Sequence, residues 1–231
     1  MAQGKKYRAA LATCGSVEVT HSLKDIVKTL KSLDTSKFDE TMEIHVKTGC
    51  DPKHADQIVR STIILPNGTG RSVSVAVFTD EEDKAAEAKK AGADIVGSED
   101  LIAEVTKGNI EFDVALATPA YMRNLAKVAR VLGPKGLMPS PKAGTVTPNV
   151  GQAVEELKKG KIEFKTDKTG IVHSIFGKKS FSAENLEENL TALIAAIKEA
   201  RPSGVKGTYI QKITVTSTMA PGLTLDLSDV L

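Results

Sequence analysis

Leu23, Ile26, Val27, Leu30 and Leu33 recur at spacings of three and four, which predicts an amphipathic helix over residues 20–33 with Thr20 or Ser22 near its cap. Met42, Ile44 and Val46 then alternate with Glu43, His45 and Lys47. That period of two belongs to a half-buried strand and gathers the three polar side chains on its outer face. A second strand-like run, residues 57–65, ends on the turn signal Pro66-Asn67-Gly68.

The middle of the chain changes character. Residues 73–78 form a short apolar run suited to a buried strand, 81–91 read as helix, 94–96 as a short strand, and Ser98 caps a helix to about Lys107. Residues 112–117 read as strand, and Pro119 stands at the favoured first position of a helix reaching about Val131. Alternating strand and helix predict a three-layer α/β unit with a largely parallel sheet.

After a helix at 152–159 the pattern reverts. The run KIEFKTDKTGIVHSIFG holds two alternating segments around Asp167-Lys168-Thr169-Gly170 and predicts a hairpin. Ser182 caps a helix whose Leu186, Leu190, Leu193, Ile194 and Ile197 share a face, and Arg201-Pro202-Ser203-Gly204 ends it. Residues 208–216 alternate again, followed by STMAPG and a last strand at 223–227. The two ends resemble one kind of unit and the middle another, and 231 residues suffice for two domains.

Composition removes several function classes. No export signal or membrane span is legible, so a soluble protein is expected, and two cysteines read as reduced thiols of a cytoplasmic chain. Net charge is only +2, yet charge is segregated. Residues 114–154 contain no acid and five basic residues, Arg123, Lys127, Arg130, Lys135 and Lys142. Within them GPKGLMPSPKAGTV, residues 133–146, packs three prolines, three glycines and two lysines into a loop. It follows a helix, and so lacks the strand-to-helix frame of a phosphate-cradling loop.

No catalytic constellation emerges. Gly177-Lys178-Lys179-Ser180 lacks the upstream glycine of a nucleotide-binding loop, and Gly68-Thr69-Gly70 lacks the third glycine of a dinucleotide fingerprint. His45, Cys50 and His54 do not complete a metal site, because a closed zinc centre takes four ligands. No catalytic residue, metal or cofactor is expected.

An RNA-binding surface fits better. The strand face Glu43, His45, Lys47, the preceding Lys37-Phe38, the hydroxyl-rich Thr216-Ser217-Thr218 and the tip Asp167-Lys168-Thr169 supply donors, acceptors and one aromatic platform. Such mixtures recognise riboses, phosphates and unpaired bases. Each taken alone also describes an ordinary solvated surface, and composition carries them no further.

The run NLAKVARVLGPKGLMPSPKAGTV resembles the signature of the L-one family of large-subunit ribosomal proteins, bacterial type. FDETMEIHVKTGCDPKHADQIVRSTIILPNGTG, AGADIVG, ATPAYM, IEFKTDKTGIVHSIFGKKSF and KGTYIQKITVTSTMAPG resemble the same family in order. The resemblance implies an α/β protein of two domains. A discontinuous α+β domain (1–67 and 161–231) would bind RNA, and a Rossmann-like three-layer domain (68–160) would be inserted in it. It implies a structural, non-enzymatic part of the large ribosomal subunit, a monomer that forms the mobile stalk near the exit site on large-subunit rRNA. Contact with deacylated exit-site tRNA and translational repression through its own operon mRNA are implied as well.

The RNA contacts carried over by resemblance are Lys37, Phe38, Thr41, Glu43, His45, Asp167, Lys168, Thr169, Thr218, Met219 and Ala220, with Lys135 and Lys142 as secondary contacts. The family usually has Thr-Met-Gly-Pro where this chain has Thr218-Met219-Ala220-Pro221. If that position needs a positive φ, alanine strains the loop. Two other readings make different demands. An α/β enzyme would use the basic 123–142 stretch to hold a phosphorylated substrate, and a general RNA chaperone would bind many RNAs alike.

Overall fold

The computed structural model describes residues 4–15 and 19–229. Residues 1–3 and 16–18 of the 1–67 segment, and the last two of 161–231, lie outside them. The chain divides into two units, one of residues up to Gly70 with those from Ile162 onward, the other Arg71–Lys161.

From the N-terminus, α1 (Lys5–Cys14) turns Ala10 and Cys14 into a core. β1 (Thr20–His21) follows, so the helix expected from Thr20 starts later, as α2 (Leu23–Ser32). Ser22 is its cap: extended itself, it accepts the Asp25 N–H on its hydroxyl oxygen at 3.3 Å. β2 (Thr41–Thr48) buries Met42, Ile44 and Val46 completely. β3 (Arg60–Ile64) is shorter than its apolar run, because Ala55–Gln57 coils into a 3-10 turn.

The second unit runs β4 (Val75–Phe78), α3 (Glu82–Lys90), β5 (Ile95–Gly97), α4 (Glu99–Lys107), β6 (Val114–Ala117), α5 (Met122–Leu125), α6 (Ala129–Leu132) and α7 (Val150–Lys158). Its sheet is parallel, in the order β5-β4-β6. The period of two in β4 splits its side chains between two cores. Val75 and Val77 meet Ala88 of α3 and Val154 of α7, whereas Ala76 and Phe78 meet Val105 of α4, Leu125 and Leu132. Both faces are covered, which is why all four residues are apolar.

The single helix expected from Pro119 is not continuous. Pro119 lies in a turn closed by the Tyr121 N–H on the Thr118 carbonyl at 3.1 Å, and a 3-10 turn at Ala126–Val128 separates α5 from α6. The loop 133–146 is tied to the sheet. Ala117 N–H bonds the Thr145 carbonyl at 3.0 Å, Thr147 N–H bonds the Ala117 carbonyl at 3.2 Å, and Ser140 N–H reaches the Thr145 hydroxyl at 2.8 Å. Lys135 and Lys142 stand exposed on it.

The chain then re-enters the first unit with β7 (Lys161–Lys165), β8 (Ile171–Lys178), α8 (Ala183–Glu199), β9 (Ile210–Ser217) and β10 (Leu223–Leu225). The five-stranded sheet has the order β1-β10-β9-β2-β8, with β2 antiparallel to both neighbours and β1 parallel to β10. The hairpin expected of β7 and β8 reduces to one bridge, Thr166 to Val172. β7 instead pairs with β3, and Thr166 belongs to that side: its N–H bonds the Val59 carbonyl at 3.0 Å and its hydroxyl accepts the Val59 N–H at 3.2 Å. The last strand ends at Leu225, after which Asp226 caps a 3-10 turn through the Ser228 N–H at 3.0 Å.

α2 and α8 cover the inner face of the large sheet. Leu186, Leu190, Leu193, Ile194 and Ile197 of α8 are buried against Val172, Phe176, Ile213 and Val215. One polar side chain of α8 is buried among them. Asn189 donates to the Phe176 carbonyl at 2.9 Å and the Gly68 carbonyl at 3.0 Å, and accepts the Asn67 N–H at 3.0 Å. It thereby fixes the segment on which the chain leaves this unit.

Candidate nucleic-acid interface

The register of β2 decides which outward side chains share a row. Glu43 lies between Thr216 and Ile175, His45 between Thr214 and His173, and Lys47 between Lys212 and Ile171. The polar face therefore grades from a carboxylate, through a histidine pair, to two exposed lysines. Eight strand residues extend it over about 25 Å.

At the Thr41 end two loops meet. One carries Lys37 and Phe38, the other Thr218, Met219 and Ala220; Phe38 is 55% and Met219 52% exposed, unusual for side chains so apolar. Thr218 N–H donates to the Thr41 carbonyl at 3.1 Å, and its hydroxyl accepts the Thr41 N–H at 3.1 Å. Lys178 Nζ donates to the Thr41 hydroxyl at 2.8 Å. Asp39 accepts the Ser180 N–H at 3.0 Å and hydroxyl at 2.8 Å, bracing the first loop against the end of β8.

Beneath both loops lies Glu40, completely buried. One carboxylate oxygen accepts the hydroxyls of Thr35 and Ser36, the latter at 2.6 Å. The other accepts the Ser217 hydroxyl and, at 3.4 Å, the Met219 N–H. Burial alone pushes this carboxyl up, but the Ser217, Ser36 and Thr35 hydroxyls with the Met219 N–H outweigh it and hold it at about 2. An ionised group thus joins the two loops without appearing on the surface.

In the middle, the Nδ1 atoms of His45 and His173 are 2.9 Å apart, with the rings edge to face. One ring nitrogen must donate and the other accept, so the contact requires at least one neutral imidazole. Burial pushes His45 below its ordinary 6.5, His173 adds to this and Glu43 partly opposes it. A base whose folded value is lowered stabilises the fold above its unfolded value, so this contribution fades as pH falls below about 6.5.

At the far end the Asp167 carboxylate accepts the Ile171 N–H at 2.8 Å and the Thr169 N–H and hydroxyl, each at 2.8 Å, and lies 3.4 Å from His173 Nε2. These donors, the Ile171 N–H foremost, hold it well below the usual carboxylate range. Gly170 closes the turn at φ 77°, where a Cβ would stand 2.8 Å from the Cys50 carbonyl oxygen. Its carbonyl accepts the Thr48 N–H at 3.0 Å, which locks the tip to β2. Lys168 and Thr169 are left exposed.

Of the residues singled out from sequence, Lys37, Phe38, Thr41, Thr218, Met219 and Ala220 gather at one end of this face. Glu43 and His45 occupy its middle, and Asp167, Lys168 and Thr169 lie past its other end. Lys135 and Lys142 belong to the other unit. The strain expected at Ala220 is absent: among the described residues no non-glycine has a positive φ, and the Ala220 N–H bonds the Ser217 carbonyl at 3.0 Å in an ordinary turn. Sequence reasoning missed Glu40, which reads as one more acid in FDET, and the cross-strand partners His173, Thr214 and Lys212, which register alone brings beside β2.

A model of the Ribosomal protein L1p/L10e family matches residues 28–221. Curated relatives agree along almost the whole chain. Identity is 48% over 224 residues, 96% of this chain and 93% of the relative, to "Large ribosomal subunit protein uL1" of Solibacter usitatus. It is 47% over 226 residues, 98% and 97% of the two chains, to the protein of that name from Laribacter hongkongensis. It is 51% over 209 residues, 90% of each, to "Large ribosomal subunit protein uL1c" of Phaeodactylum tricornutum.

Proposed function

The chain belongs to the ribosomal protein L1p/L10e family and is a non-enzymatic structural constituent of the large ribosomal subunit that binds rRNA; on that premise we propose that the outer face of its five-stranded sheet is the surface that grips the RNA. The observation that carries this reading is the pairing of Phe38 and Met219, two exposed apolar side chains, on loops joined by the buried Glu40. Rigid loops presenting an aromatic ring and a thioether beside hydroxyls suit unstacked bases and riboses. Lys37, Thr41, Glu43, His45, Thr218 and Ala220 complete that contact, and Asp167, Lys168 and Thr169 form a second one at the far end.

In this reading the discontinuous domain (1–67 and 161–231) holds the stalk rRNA near the exit site. The inserted domain (68–160) assists departure of deacylated tRNA, with Lys135 and Lys142 as secondary RNA contacts. The same face binds a mimic of the rRNA site in the chain's own operon mRNA and represses translation in the bacterial cytoplasm. The protein acts as a monomer within the ribosome.

Competition of a stalk rRNA fragment against an unrelated structured RNA at fixed salt tests the assignment. Strong preference for the stalk fragment is expected, and equal binding of the two would sink it. The outer segments carry nineteen basic and sixteen acidic residues, so few phosphates are neutralised. Log affinity should fall with log salt by only two or three ion equivalents, at roughly 0.7 to 0.9 per phosphate. Thr218→Val, which removes the hydroxyl that holds Thr41, should weaken binding by about 1 to 3 kcal/mol. Unchanged affinity would take Thr218 out of the interface.

A further inference from the structure

Beside the Asp167-Lys168-Thr169 tip lies a groove that shares Asp167 and Lys168 with the second contact above and adds four residues that no contact above uses. Pro52, Ile58, Lys165, Thr166, Asp167 and Lys168 line it, and its volume is about 490 Å³. That size accommodates a nucleotide rather than a lone ion. Ile58 is 41% exposed and Pro52 half-buried, so the groove has an apolar wall that nothing in its own unit covers. Lys165 and Lys168 are exposed, and among the described residues neither makes an ion pair. The one acid in the lining, Asp167, spends its carboxylate oxygens on Thr169, Ile171 and His173.

We infer that this groove holds one unpaired nucleotide of the RNA bound on the sheet face, its base against Pro52 and Ile58 and its phosphate between the Lys165 and Lys168 ammonium groups. The inference rests on the sheet face being an RNA interface. Two features select RNA as the occupant. The groove is continuous with that face through residues 167 and 168, and its free charges are cationic beside an apolar wall. A nucleotide presents the complement, a flat apolar ring and an anion a few ångströms apart. A base enters only if it is unpaired, since a duplex offers no ring face to a side wall.

The test uses the full chain and a stalk rRNA fragment, with affinity and thermal unfolding measured on the wild type, Ile58→Asp and Lys165→Ala. Ile58→Asp places a carboxylate where the base and phosphate are expected, and should weaken binding at least tenfold. Its unfolding midpoint should shift little, because Ile58 stands exposed on the groove wall and outside the buried core. Lys165→Ala should reduce the salt slope by about 0.7, one phosphate contact. Full-affinity binding by Ile58→Asp with an unchanged slope for Lys165→Ala overturns the groove assignment, provided the wild type still prefers the stalk fragment. A wild type without that preference fails the interface itself, a separate outcome. A defect of Ile58→Asp in subunit incorporation but not on naked RNA assigns the groove to a protein neighbour and overturns the nucleotide.

Discussion

Replacing Glu40 with leucine should cost about 3 kcal/mol of stability and abolish tight RNA binding, although Glu40 itself is wholly buried. Leucine fills the space but leaves the Thr35, Ser36 and Ser217 hydroxyls and the Met219 N–H facing an apolar group. Hydroxyls re-aim, whereas a backbone N–H does not, so the Met219 loop is where the loss concentrates. A shift of roughly 10 °C in the unfolding of this unit is the scale to look for. Glu40→Gln separates shape from charge: its oxygen still accepts Ser217 and Met219 while its amide donates to Thr35 and Ser36, so about 1 kcal/mol is expected. If the leucine variant binds and melts like the wild type, the two loops do not depend on Glu40.

Acid supplies an independent check of the same group. The folded carboxyl is held at about 2 against an ordinary 4.5, so the unfolded chain takes up the proton first. Its contribution, about 3 kcal/mol, is complete above pH 4.5 and is lost as pH falls toward 2. Asp167, also lowered, loses its share in the same direction. Denaturant titrations between pH 5 and 2.5 should therefore find Glu40→Gln about 1 kcal/mol the less stable at pH 5, cross the wild type at about pH 4, and leave the glutamine variant the more stable at the acid end. Parallel curves would show that the carboxylate is not linked to folding.

Asn189→Ala is expected to destabilise by about 2 to 4 kcal/mol, far more than a substitution at most helical positions. Three backbone groups lose their partners at once: the Asn67 N–H and the carbonyls of Gly68 and Phe176. Asn189→Asp gives a sharper signature. A carboxylate can accept the Asn67 N–H but must face two carbonyl oxygens with no proton to offer. Protonation restores one donor, so this variant should gain stability relative to wild type as pH falls from 7 to 5, opposite to the wild-type trend. Thermal unfolding at the two pH values checks it, and a constant difference would mean that the position is not sealed from water.

Much of this was legible in the sequence because apolar spacing reports burial. The alternation of Met42, Ile44 and Val46 put Glu43 and His45 on the outer face, and Ser182 marked the start of α8. Alternation of strand and helix identified the parallel sheet around β4. Where the reading failed, the deciding interaction lay far along the chain. α1 was missed because alanine and cysteine make a faint stripe, although Ala10 and Cys14 are buried. The β7–β8 segments alternate like a hairpin, yet Thr166 bonds Val59, 107 positions away. Thr20 reads as helix cap, but its strand pairs with Thr224. Glu40 and Asn189 escaped for the same reason: single polar residues carry no period, and only the fold shows what surrounds them.

The strand order of the large sheet also constrains its biogenesis. β2, the middle strand of each row on the face, has as its neighbours β8 and β9, both made after the whole of residues 71–161. During synthesis its hydrogen-bonding edges therefore wait while the intervening parallel unit, whose sheet is built from its own strands, can already close. At roughly 5–20 residues per second the wait for β9 lasts on the order of 10 to 30 seconds. Nascent chains should acquire RNA affinity abruptly near completion, once Ser217 and Met219 reach Glu40. Truncated chains ending before β8 would leave a paired central unit tethered to an unpaired strand with one apolar face, a natural substrate for chaperones.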